Sequence, residues 1–211
     1  MSDIKRILCL DPHCDDLEFA AGGTISSYIG KKVDLYMAIF SFCDNITNSK
    51  NECGNILRKE MYNSIAKLNL KEDKVISFNF PVRNFPEHRQ GILEEMINLK
   101  RELNPDMVIL PSSYDIHQDH EVIFNEGVRA FKHSRIIGYE MPWNNLKFSN
   151  DLYIEISEKD LENKINAINE YKSQVYRGHS DEEFYIGLAK VRGAQIGVKY
   201  AETFEVIRWI I

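Results

Sequence analysis

The chain has 211 residues, 44% hydrophobic and 27% charged, with a formal net charge of −6. That length buries one sizeable core, and that balance is ordinary for a soluble globular protein; no apolar window approaches a membrane-spanning length. No basic block occurs, which argues against a nucleic-acid partner.

In chain order, the apolar run at residues 6–10 predicts a buried strand, and the helical spacing at 17–29 a helix. A second strand is expected at 33–40, a helix at 55–68 and a weaker third strand at 75–80. A helix at 92–103 runs up to Asn104-Pro105. The run 107–111 is a strong strand closed by Pro111, and a helix follows at 119–132. Strand and helix alternate, which predicts an α/β, Rossmann-like three-layer sandwich with a mostly parallel sheet. The last third differs. Strands at 135–139 and 152–156 precede a helix at 161–174, a looser stretch at 175–200 and a final apolar run at 204–211. This reads as a C-terminal elaboration. No linker composition and no repeat interrupts the chain, so one domain over residues 1–211 is expected. The polar segment 42–54 would lie at the carboxyl edge of the sheet, as a loop over a site or a long connection.

The N-terminal apolar run is too short for a signal peptide. The four cysteines, Cys9, Cys14, Cys43 and Cys53, show no C-x-x-C spacing. A cytoplasmic protein with free thiols is the expectation.

Two polar clusters each follow a strong strand. The first offers His13, Asp15, Asp16 and Glu18, and the second Asp115, His117, Asp119 and His120. In a doubly wound sheet those two carboxyl ends can be neighbours, where such folds bind ligands. Two imidazoles and a carboxylate from two such loops make a three-ligand zinc site with an open fourth position. Each cluster has a plainer reading: Asp115 can cap a helix with Gln118 as its capping-box partner, and Gly22-Gly23 can serve close packing. The signatures of dinucleotide folds, P-loops and nucleophile elbows are absent.

Pro12-His13-Cys14-Asp15-Asp16-Leu17-Glu18 followed by Gly22-Gly23-Thr24, with His117-Gln118-Asp119-His120 downstream, resembles the paired motifs of the PIG-L/LmbE-like zinc-dependent N-deacetylases. Smaller agreements are Arg58-Lys59-Glu60, Tyr171-Lys172-Ser173-Gln174, Arg192-Gly193 and Tyr200-Ala201-Glu202-Thr203-Phe204. Cys14 stands where the family has proline, and Cys43-Asp44-Asn45 where many relatives have a glycine-containing turn. The resemblance implies His13, Asp16 and His120 as metal ligands and Asp15 as general base. It implies His117 as the group acting on the oxyanion or the leaving amine, with Asp119 orienting it, and Arg58 as a substrate contact. It further implies one Zn2+ per chain, a site that Fe2+, Co2+ or Mn2+ can also occupy.

The activity so implied is hydrolytic removal of an N-acetyl group from an N-acetylated amino sugar or its conjugate. The alternatives are a zinc amidase or esterase on a non-sugar substrate, and a non-catalytic sugar- or nucleotide-binding module. The expected partner is a small molecule, with a homo-oligomer compatible with it.

Overall fold

The computed structural model describes residues 4–42, 52–177 and 181–211. Among them one seven-stranded sheet runs in the order β3-β2-β1-β4-β5-β7-β6. The strands are β1 (Arg6–His13), β2 (Asp34–Ser41), β3 (Val75–Ser77), β4 (Met107–Pro111), β5 (Arg135–Tyr139), β6 (Leu152–Glu155) and β7 (Ala201–Arg208). The first five are parallel, and β7 pairs antiparallel with both β5 and β6. The helices are α1 (Asp16–Gly30), α2 (Glu52–Lys67), α3 (Phe85–Leu103), α4 (Gln118–Ala130), α5 (Glu158–Ile168) and α6 (Glu182–Ile196).

Period-two alternation splits the strands between two cores. Ile7 and Cys9 of β1, Met37 and Ile39 of β2 and Ile109 of β4 pack with Leu17 and Ile25 of α1 and Met61 of α2. Leu8 and Leu10, Ala38 and Phe40, and Val108 and Leu110 face the other way, onto Ile92 and Met96 of α3 and Ile123 of α4. The result is the expected three-layer α/β sandwich. A third cluster joins Phe19 of α1 to Leu161 and Ile165 of α5 and Tyr185 of α6.

Several boundaries differ from the sequence reading. The third strand stops at Ser77, although Phe78 and Phe80 still donate to β2 carbonyls. Helix α3 begins at Phe85 rather than Ile92, with Pro86 in its first turn, where a missing N–H costs nothing. Helix α5 stops at Ile168, and residues 172–177 form a separate 3-10 turn. The stretch read as loose contains α6. Its apolar residues are spread around the helix and two glycines interrupt it, so no stripe is visible in sequence. Most of the polar segment 42–54 lies outside the described residues.

The late motifs turn out to fasten the first helix. Helix α1 kinks at Ala21 (φ −130°, ψ 17°), which frees N–H groups in the next turn. The Glu202 carboxylate of β7 accepts from Gly23 N at 3.1 Å and Thr24 N at 2.7 Å. Lys164 of α5 donates to the same carboxylate at 2.6 Å. A Cβ on Gly23 would come within 2.7 Å of Ile156 Cδ1 and 3.2 Å of Glu202 Oε1, so any side chain there would push on the buried Ile156 and on this carboxylate. Glu60 of α2 accepts from Ser173 N at 2.9 Å and Ser173 Oγ at 2.6 Å. The R-x-E and S-Q segments therefore meet across the fold.

Candidate metal centre

The order β3-β2-β1-β4-β5 reverses between β1 and β4, and an α/β crevice opens where the winding changes direction. Cα pairing of these two strands runs only from Ile7↔Met107 to Cys9↔Ile109. β1 continues beside β2 to His13↔Ser41. The two polar clusters stand on either side of this opening. His13 ends β1, Asp15 and Asp16 begin α1, and His117 and His120 begin α4.

Three donor atoms converge there. Asp16 Oδ2 lies 3.1 Å from His13 Nδ1 and 3.1 Å from His120 Nε2, and the two nitrogens are 3.3 Å apart. Metal–ligand bonds of about 2.0–2.1 Å in a tetrahedron place neighbouring donors about 3.3–3.4 Å apart. A divalent ion fits this triangle with a small outward shift of each ligand. His117 also reaches the group, and ring nitrogens of His13, His117 and His120 lie within 4.8 Å of one another. The tighter triangle is the one that includes Asp16.

Both inner imidazoles are held from behind by carboxylates. Asp119 Oδ2 accepts from His13 Nε2 at 2.9 Å, and Asp115 Oδ2 from His120 Nδ1 at 2.7 Å. These bonds keep a proton on each outer nitrogen, so that an ion displacing the inner protons would find lone pairs on His13 Nδ1 and His120 Nε2. Asp119 is itself anchored by the main-chain N–H groups of Arg83 (2.6 Å) and Phe85 (3.2 Å). The sequence reading had Asp119 orient His117. In the structure its carboxylate serves His13, and only its main-chain N–H meets His117. Nor does Asp115 cap α4. His117 is the N-cap, with Nδ1 accepting from Asp119 N at 3.2 Å. A main-chain N–H can only donate, so Nδ1 carries the lone pair and Nε2 the proton.

The electrostatics suit a cation. Burial opposes the His120 imidazolium, yet the Asp16 and Asp115 carboxylates override it and push its pKa up to about 10. Burial likewise opposes the His13 imidazolium and is overridden by Asp16 and Asp119. Burial would raise the Asp16 carboxyl, but the two imidazoles hold it well below the usual carboxylate range. His117 goes the other way. Burial first, then the neighbouring His120 and His13, bring it down to about 4, so its imidazole is neutral at pH 7.

The remaining residues sit around this core. Asp15 is the buried N-cap position of α1, but its side chain makes no capping hydrogen bond to the helix. Glu18 is buried in the first turn of α1. Its Oε1 accepts from Ser64 Oγ at 2.9 Å and Tyr171 Oη at 2.8 Å, and burial raises its carboxyl to about 7. Tyr171 Oη also donates to the Cys14 carbonyl. Arg58, half-buried on α2, stacks its guanidinium on Phe42, 3.7 Å from the ring centroid, just past the end of β2. Cys9 and Cys14 are buried free thiols. Cys43, Asp44 and Asn45 lie outside the described residues.

Sequence reasoning missed Asp115 as a partner of His120, and Arg83. The five-residue offset from Asp115 to His120 carries no recognisable signal until the turn before α4 folds back on the helix.

The chain is similar to known proteins. The family described as PIG-L: GlcNAc-PI de-N-acetylase matches residues 8–131. The diacetylchitobiose deacetylase of Thermococcus kodakarensis is 24% identical, over 95% of this chain and 82% of its own length. A probable N-acetyl-alpha-D-glucosaminyl L-malate deacetylase 2 of Bacillus cereus is 22% identical, over 84% of each. The crystal structure of GalB, the 4-carboxy-2-hydroxymuconate hydratase of Pseudomonas putida KT2440, superposes with a TM-score of 0.78 at 18% identity, covering 99% of this chain and 98% of GalB. That last likeness concerns the fold, which by itself decides no chemistry. The family match takes in both halves of the crevice, from β1 through α4, and on that ground the chain belongs to the PIG-L family.

Proposed function

We propose that this protein is a metal-dependent hydrolase that removes the N-acetyl group from an N-acetylated amino sugar or its conjugate. The observation that carries the reading is the triangle of His13 Nδ1, Asp16 Oδ2 and His120 Nε2, with a carboxylate behind each imidazole. Membership of the PIG-L family, and relatives named as deacetylases of chitobiose and of a glucosaminyl malate, support the substrate class.

His13, Asp16 and His120 would hold one divalent ion, zinc being the best match to a two-imidazole, one-carboxylate set. Such an ion supplies Lewis acidity toward the amide carbonyl and acidifies a water molecule. The residues of the chain do the rest. Asp15 takes a proton from the attacking water as its oxygen bonds to the carbonyl carbon. The neutral His117, with its proton on Nε2, donates a hydrogen bond to the oxygen that gains negative charge. As the C–N bond breaks, the protonated Asp15 returns its proton to the leaving nitrogen. Acetate and the free amine are the products. Arg58, stacked on Phe42 just past β2, would contact the substrate. The cytoplasm is the compartment we assign, in keeping with the free thiols of Cys9 and Cys14.

Acetate release from N,N′-diacetylchitobiose and from N-acetylglucosamine conjugates tests this, with the zinc-loaded wild type beside Asp15→Asn. The expected result is release by the wild type and a loss of roughly 10²–10⁴-fold in kcat in the variant, at equal metal content. Activity of the variant near the wild-type level removes Asp15 from the mechanism. Release from simple esters or non-sugar amides, with none from any acetylated sugar, contradicts the substrate class.

A further inference from the structure

Arg83 lies between β3 and α3 with φ 64°, in the left-handed region that costs a residue with a Cβ. Among the described residues, the other non-glycine residues in that region are Lys32, Asn69 and Asn104, all just past helices, and Asn104 is the cap of α3, a usual place for asparagine. Arg83 is at the metal centre instead. Its main-chain N–H donates to Asp119 Oδ2, the oxygen that also accepts from His13 Nε2. Glycine would provide that same N–H, in that same conformation, without strain. The backbone therefore gives no reason for an arginine.

The side chain does give one. Arg83 is exposed, and its guanidinium makes no hydrogen bond or ion pair among the described residues. It is not needed to neutralise Asp119, whose oxygens are already taken by His13 and by two main-chain N–H groups. The crevice sets the carboxylates of Asp16, Asp115 and Asp119 against the imidazoles of His13 and His120, so its own charges are largely matched. An exposed guanidinium beside Asp119, taken up by no carboxylate among the described residues, is therefore a cation left for a group on the substrate.

We infer that Arg83 is a specificity-determining residue that binds a carboxylate or phosphate carried by the acetylated substrate. The planar guanidinium can bind either group through two parallel hydrogen bonds. This inference rests on the deacetylase reading of the site, and it narrows the substrate to an anionic N-acetylated sugar.

The test compares N-acetylglucosamine 6-phosphate, N-acetylglucosamine O-linked to malate, and neutral N,N′-diacetylchitobiose with wild type, Arg83→Gly and Arg83→Lys. The glycine variant suits the backbone, so damage to the fold does not confound it. The expected result is a wild-type preference for at least one anionic substrate. The ratio of kcat/KM for that substrate to kcat/KM for the chitobiose falls about 10- to 100-fold in Arg83→Gly and recovers in part in Arg83→Lys. Which anionic substrate carries the preference distinguishes phosphate from carboxylate. Absence of any anionic preference, or a ratio unmoved in Arg83→Gly, overturns the inference. Calorimetric binding of glucosamine 6-phosphate, glucosamine O-linked to malate and neutral glucosamine gives a readout that needs no turnover. If no substrate is deacetylated, the deacetylase reading fails. Arg83 is then judged on binding alone, where tighter binding of an anionic ligand that is lost in Arg83→Gly supports it, and equal or undetectable binding overturns it.

Discussion

At the scale of single residues, the centre is a nested set of charges. Asp16 binds the inner edge of two imidazoles, and Asp119 and Asp115 hold their outer edges. The outer pair fixes which nitrogen of each ring faces inward, and so would act on a bound ion through His13 and His120. Asp119→Asn and Asp115→Asn are each expected to weaken zinc affinity by about 10–100-fold, measured by competition with a chromophoric chelator. Affinity unchanged in both variants would mean that the rings are oriented by packing alone. The proposed ligand set came from the family resemblance, and the two polar clusters were legible in sequence because each follows an apolar strand. The pairing of the outer carboxylates was not. Sequence proximity suggests that Asp119 serves His117, two residues away, whereas α4 turns the Asp119 side chain across the crevice to His13 on another strand. Arg83 was equally hidden, since positive φ on an arginine leaves no mark in composition or periodicity.

At the scale of elements, the kinked first helix is the critical support, because Asp15 and Asp16 stand at its start. The kink at Ala21 is stabilised from outside the helix, by Glu202 of β7 and its ion pair with Lys164 of α5. Both side chains are buried, so removing one strands the other. Glu202→Ala is expected to destabilise the fold by about 3–5 kcal/mol, read from the denaturant midpoint. A loss below about 1 kcal/mol would show that the kink is held by packing rather than by this carboxylate. Element order was legible through β5, where apolar runs and amphipathic helices alternate cleanly. It became obscure after that. Insertion of β7 between β5 and β6 reverses strand direction without any local signal, and α6 has neither an apolar stripe nor an uninterrupted run of helix formers.

At the scale of the whole molecule, the doubly wound sheet brings residues more than a hundred positions apart to one edge, and the C-terminal elements hold them there. The fold is shared with a hydratase, so the account depends on the ligand set rather than on the architecture. Its central claim is that one divalent ion is held by His13, Asp16 and His120, with His117 outside the ligand set. The most direct measurement is a zinc titration of the chelator-stripped protein and of the variants Asp16→Ala and His117→Ala, with bound metal counted by mass spectrometry. The account predicts about one ion per chain in the wild type and in His117→Ala, and none retained in Asp16→Ala. Zinc lost from His117→Ala but kept by Asp16→Ala would contradict it, and would make the centre a three-histidine site.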